Sequence, residues 1–215
     1  SQSQIDAITG IANTTWAFNA GTSLVPDGIE TKVKDSLVKI DWNINDSHRA
    51  SYRYNKTDQN DLVVPGFNST RLSLSSNWYT QGKVFESHVL QLFSDWTDNF
   101  STEFKVSRRD YESIPQNFST LPAISVSVVN ADPANAALRQ TRTLLFGTDQ
   151  FRHANELITS TDNIYLGANW FLGDHELKFG IDYDSNDISN LFLNDSNGVY
   201  TFSCINSSGT FTYTF

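Results

Sequence analysis

The 215-residue chain predicts an all-β fold: an antiparallel up-and-down meander that forms part of a large transmembrane β-barrel with long extracellular loops. Three observations predict it. Apolar and polar residues alternate along several segments, tryptophan recurs at the same end of three strand-turn-strand units, and very short turns alternate with long connections.

Composition narrows the class. Charged residues make up 18% of the chain, below the roughly 25% of an average soluble domain, while aromatics reach 13%. The formal net charge of -9 and the scattering of Lys and Arg exclude a nucleic-acid partner, which demands a basic patch or stripe. No stretch approaches the roughly 20 apolar residues of a membrane helix, but a membrane strand needs only about 9 to 11 alternating residues. The single cysteine, Cys204, permits neither an internal disulfide nor a site of paired cysteines. Ser1 opens without a charged and apolar leader and the chain lacks methionine, so we expect a chain that was processed or cut.

Residues 1–30 carry no strand period and are expected as loop. The first unit runs from Val33 to Tyr54. Val38, Ile40 and Trp42 share one face, Lys39, Asp41 and Asn43 the other, because successive strand side chains point to opposite sides. Asn45, Asp46 and Ser47 supply turn chemistry, and the return strand opposes Ala50, Tyr52 and Tyr54 to Arg49, Ser51 and Arg53. The second unit, Val84 to Tyr111, places Leu90, Leu92 and Trp96 before a turn at Thr97, Asp98 and Asn99, with Phe100, Phe104 and Val106 after it. Phe93 and Ser94 break its alternation. In the third, Ile164, Leu166, Ala168 and Trp170 precede a turn at Gly173, and Leu177, Phe179, Ile181 and Tyr183 follow it.

Alternation alone also suits a soluble β-sandwich. Two features favour the membrane. Trp42, Trp96 and Trp170 each lie on the apolar face beside a short turn, where an indole sits at the membrane interface. The connections Asp58 to Lys83 and Glu112 to Thr161 are longer than compact domains tolerate, and outer-membrane barrels pair short periplasmic turns with long external loops. Parity then makes Arg71 to Tyr79 an extracellular extension pairing with the segment after Gly82, and places Leu191 to Leu193 and Val199 to Phe202 in an external arm.

The segments SLVKIDWNINDSHRASYRYN (residues 36–55), LFSDWTDNFSTEFKVSRRDYES (92–113), FGTDQFRHANEL (146–157) and ELKFGIDYDSNDISNLFLNDSNGVYTF (176–202) together resemble the barrel domain of TonB-dependent outer-membrane receptors, especially the Oar-like group. The resemblance implies a barrel of about 22 strands around a plug, energised by TonB and importing a scarce ligand that could be a small molecule, an oligosaccharide or a peptide. The expected partners are outer-membrane lipid, the protein's own plug domain, TonB and that ligand. Neither a plug nor a TonB box is found in these residues, so the chain is expected to be a partial barrel domain. The alternatives are a small complete or porin-like barrel, whose last strand would end at Phe215, and a β-sandwich adhesin.

Candidate sites follow from faces and loops. Arg49, Arg53, Lys105 and Arg109 fall on the polar, lumen-facing side, where they can contact ligand or plug or simply pair across strands. Arg139, Arg142, Arg152 and His153 lie in the longest connection, where they can meet an anionic ligand or lipopolysaccharide or simply keep a loop solvated. Asp182, Asp184, Asn186 and Asp187 have the alternate oxygens of a calcium loop but lack its glycine and terminal glutamate; a solvated acidic strand is the expectation. The histidines are dispersed and no nucleophile motif is present. No enzyme activity, cofactor or metal is expected.

Overall fold

A computed structural model describes residues 2–25, 30–129, 134 and 140–203. Six long antiparallel strands form one sheet in the order β1 (Lys32–Asn43), β2 (His48–Val63), β4 (Tyr79–Thr97), β5 (Phe100–Asn117), β8 (Ala154–Leu172) and β9 (His175–Leu193). Strands β3 (Arg71–Ser73), β6 (Ala123–Val129), β7 (Arg142–Phe146) and β10 (Val199–Phe202) form a second, mixed sheet in the order β10, β6, β7, β3. A helix, α1 (Gln2–Trp16), precedes them all.

The three short turns lie at one end of the large sheet. Asn45 Oδ1 accepts from the amides of Ser47 and His48 at 2.9 Å each, an Asx turn that brings β2 back beside β1. Gly173 closes the third turn at φ 61, a left-handed conformation that a two-residue hairpin requires and glycine adopts without steric penalty. Neighbouring turns are tied together: the Asp95 amide donates to Ser47 O and the Phe171 amide to Asn99 O, both at 2.8 Å. The common end predicted for Asn45, Asp98 and Gly173 is therefore the observed one.

Register sets the faces, since residues directly opposed in antiparallel strands point the same way. One row across all six strands reads Ile40, Tyr52, Leu90, Val106, Ile164, Tyr183; the next reads Trp42, Ala50, Leu92, Phe104, Leu166, Ile181. Most of these side chains are open to the surroundings, Ile40 at 59% and Ile181 at 71%, and no second sheet among the described residues covers them. A sandwich core is thus absent from this face. Along β9 the band runs from Leu177 to Tyr183, about 20 Å at 3.3 Å per residue, a little short of the roughly 25 Å expected of an outer-membrane barrel. Trp42 and Trp170 border it beside the turns. Trp96 reaches the same face from a register shift between Asp95 and Thr97: its Nε1 donates to Thr102 Oγ1 at 2.9 Å and its ring meets His48 edge-on. Away from the turns the same face becomes charged, in the row Ser36, Lys56, Glu86, Asp110, Ser160, Asp187. Five of the strands hold 16 to 19 residues, so they continue well past the apolar band, which needs only about 9 to 11.

On the polar face Gly167 and Gly180 oppose each other across β8 and β9. A Cβ at Gly180 would stand 2.5 Å from the Leu166 carbonyl oxygen, where backbone cannot yield without disturbing the ladder. We expect Gly180→Ala to destabilise the β8–β9 pair by about 1–3 kcal/mol, seen as a lower urea midpoint of the folded protein in lipid.

The long connections depart from expectation. Rather than loops, they fold together with α1 into a cap. Arg71 does not pair with the segment after Gly82. Residues Arg71–Ser73 instead run parallel to β7, Ser75–Asn77 form a 3-10 turn, and β4 already begins at Tyr79, paired on both sides. Leu191 to Leu193 remain in β9 against β8, and Val199–Phe202 run parallel to β6. Within residues 1–30, expected as loop, Gln2–Trp16 are helical: Ile5, Ile8 and Ala12 share the helical stripe that packs against Leu144, Phe146 and Phe18. Ala17 at φ 52 ends the helix, and the Phe18 amide turns back to Ala12 O at 3.0 Å. Buried polar groups lock the 3-10 turn into the cap: Ser76 Oγ donates to Ala20 O at 2.6 Å and Asn77 Nδ2 to Gly147 O at 3.0 Å.

Candidate functional site

The polar face of the large sheet gathers four of the eight predicted contact residues. Its rows read Lys39, Arg53, Val89, Ser107, Asn163, Asp184, and beside it Asp41, Ser51, Gln91, Lys105, Tyr165, Asp182. Arg53 on β2 stands in register with Ser107 on β5, which lies midway between Lys105 and Arg109. Two strand spacings, about 10 Å, separate Arg53 from the line joining those two. Arg49 lies four residues from Arg53 toward the turns.

None of these four cations forms an ion pair among the described residues. Two of them rest on rings instead: the Arg49 guanidinium lies 5.4 Å from the Phe93 ring centroid and Lys105 Nζ 5.2 Å from that of Tyr165. A cation over an aromatic face is attracted by the ring quadrupole and keeps its charge available. Cross-strand neutralisation is therefore not what occupies this cluster. The nearby Lys39 and Lys178 pair within their own strands, with Asp41 at 2.8 Å and Glu176 at 3.1 Å. Acidic residues share the face: Glu103 lies in the row of Arg49 and accepts from Gln91 Nε2 at 2.5 Å, and Asp182 on β9 accepts from Asn163 Nδ2 at 2.6 Å. The four cations without an ion pair can hold an anionic group.

The other four residues separate. Arg139 lies outside the described residues. Arg142 is exposed at the start of β7. Arg152 and His153 close the cap onto β8. The Arg152 guanidinium stacks 5.2 Å from the Tyr79 ring, and its carbonyl accepts from Asn117 Nδ2 at 2.6 Å. His153 Nδ1 accepts from the Asn197 amide at 3.0 Å while Nε2 faces Thr148 O at 3.3 Å; with Nδ1 accepting, Nε2 carries the proton and donates. Both residues help to hold the cap together.

Asp182, Asp184, Asn186 and Asp187 all lie within the extended strand β9, the first three on the polar face and Asp187 on the other. The calcium-loop pattern has no loop to act in, and the described residues hold no cluster of metal-ligating groups. Sequence reasoning missed Phe93 and Tyr165 as platforms, although the break in alternation at Phe93 was a signal: an aromatic placed on a polar face is there to serve a neighbour.

Asp149 gives the cap a pH dependence. It caps the 3-10 turn Gln150–Arg152 by accepting from the Phe151 amide at 3.0 Å. Burial, the largest influence, raises its carboxyl above the usual range, against the lowering by that amide and by Arg152 and His153. A raised folded value means the folded cap binds this proton more tightly than the unfolded one, so the stabilisation is complete below the unfolded value and lost as pH rises through the folded one. We expect amides of the cap to lose hydrogen-exchange protection across that rise. Asp149→Asn keeps the accepting oxygen and removes the titration, and its protection should hold level.

Strands longer than a membrane span, an open apolar face bordered by tryptophan and a polar opposite face define a membrane β-sheet of the outer-membrane kind. The chain belongs to the Outer membrane beta barrel domain family, which matches residues 9–214, and it resides in the bacterial outer membrane in association with the lipid bilayer. No curated protein and no solved structure matches the chain.

Proposed function

We propose that this sheet is a segment of a TonB-dependent receptor barrel that captures a scarce ligand at its outer end and imports it, with its own plug domain and TonB as partners. The observation that carries the proposal is the pair of edges, β1 and β9, unpaired among the described residues, on a six-stranded sheet whose apolar face is largely open. An unpaired edge in hydrocarbon leaves backbone groups unsatisfied at several kcal/mol each, and further strands remove that cost. A folded cap on the long connections offers a surface on which a receptor captures ligand. In this reading the Arg53, Lys105 and Arg109 cluster faces the plug or an anionic part of the ligand, and the role is binding and transport without catalysis.

Conductance tests this without knowing the ligand. Full-length protein in a planar bilayer should be electrically silent until urea dislodges the plug, after which large openings appear. Steady conductance from the first insertion would favour the porin-like alternative.

A further inference from the structure

Three cations on the polar face form a triangle that the carboxylates around it leave unpaired. Across the three successive rows that contain Lys105, Arg53 and Arg109, strands β2 to β8 hold no acidic residue. Arg53 lies about 12 Å from both Lys105 and Arg109, two strand spacings across and two residues along, and those two are about 13 Å apart on β5. The separations exceed the screening length of about 8 Å at physiological salt, so each cation keeps its own charge. Ser87 and Ser107 lie among the three and offer hydroxyl donors.

The neighbouring acids are held by other groups. Asp41 pairs with Lys39 at 2.8 Å, Glu103 accepts from Gln91 and Asp182 from Asn163. Asp184 stands about 12 Å from Arg109, too far to pair. Arg53 and Arg109 are exposed and form neither an ion pair nor a ring contact among the described residues. Lys105 rests on Tyr165, which leaves its charge available. The series also continues along the face, with Lys83 four residues from Ser87 toward the cap and Arg49 four residues from Arg53 toward the turns. A single fixed carboxylate would answer one of these cations, whereas a series open in both directions suits a ligand that passes along it.

We infer that this face binds a polyanion, a ligand bearing at least two carboxylate, sulfate or phosphate groups that engages Arg53, Lys105 and Arg109 together. The inference rests on the receptor reading and deepens it by fixing the charge class of the ligand. A monoanion neutralises one cation. A polyanion makes its second and third contacts within one complex, where the effective concentration is high.

Methyl acetimidate, which converts an accessible lysine amine to an amidine, reads the site at Lys105. With full-length protein in lipid nanodiscs at constant ionic strength, tripolyphosphate should slow amidination of Lys105 at least tenfold and saturably. Lys39 and Lys178, paired with Asp41 and Glu176, should change less than twofold. Inorganic phosphate should need at least tenfold more for the same protection. Arg53→Gln combined with Arg109→Gln should raise the half-protecting tripolyphosphate concentration at least tenfold while the rates at Lys39 and Lys178 stay native, and Lys39→Gln should leave that concentration unchanged. The inference is overturned if Lys105 resists the reagent in the folded protein, if Lys39 and Lys178 are protected equally, if phosphate protects as well as tripolyphosphate, or if protection survives the double substitution. Protection requires neither plug nor TonB. Protected Lys105 in a protein that conducts from its first insertion would sink the receptor reading alone, and unprotected Lys105 in one that stays silent until urea would sink the polyanion site alone.

Discussion

Ile181→Arg should cripple insertion. Ile181 sits on the outer face of β9, in the row of Leu92, Phe104 and Leu166 near the middle of the apolar band, and is 71% open to whatever surrounds the sheet. If that surrounding is hydrocarbon, a guanidinium there destabilises the folded protein by about 2–4 kcal/mol. Asp184→Arg, three residues along the same strand but on the polar face, should cost far less, because water reaches that side. Urea unfolding in lipid vesicles measures both. Equal small effects would mean that Ile181 does not meet lipid.

Leu144→Ala should open the cap while leaving the membrane strands intact. Leu144 is 2% exposed at the centre of the cluster joining α1, Phe18, Leu74 and Phe146, and truncating a leucine in such a core costs about 2–5 kcal/mol from lost transfer energy and the cavity left behind. The cap core is small, so its local stability cannot absorb that loss. Hydrogen exchange should therefore accelerate across α1, β3, β6 and β7 and stay slow in β4, β5 and β8. Uniform acceleration would show that cap and barrel unfold as one unit.

The contrast between these two regions explains what sequence reasoning could see. The large sheet was legible because lipid imposes a strict period of two: Val38, Ile40 and Trp42, or Leu177, Phe179 and Ile181, announce their face without reference to any other segment, and Asn45 and Gly173 mark their turns by local chemistry. The four lumen cations were assigned to the right face by the same alternation. The cap was illegible because its elements are short and defined by one another. Arg71–Ser73 is a strand only through its pairing with β7, and α1 is a helix whose stripe of Ile5, Ile8 and Ala12 is too weakly apolar to stand out until Leu144 and Phe146 cover it. Arg152 and His153 were singled out as loop residues able to meet an anionic ligand; their contacts with Tyr79, Asn117 and Asn197 come from 35 to 73 residues away along the chain, and local pattern carries no signal for that.

Sidedness tests the central claim most directly. With Cys204 replaced by serine, single cysteines introduced as Asp46→Cys, Asp98→Cys and Asp174→Cys mark the three short turns, and Ser69→Cys, at an exposed position, marks the cap. In intact cells bearing the full-length protein, a membrane-impermeant maleimide should label the cap position promptly and leave all three turns unlabelled until the outer membrane is permeabilised. Labelling of any turn in intact cells at the rate of Ser69→Cys would contradict a sheet that crosses the outer membrane with its short turns inside and its cap outside.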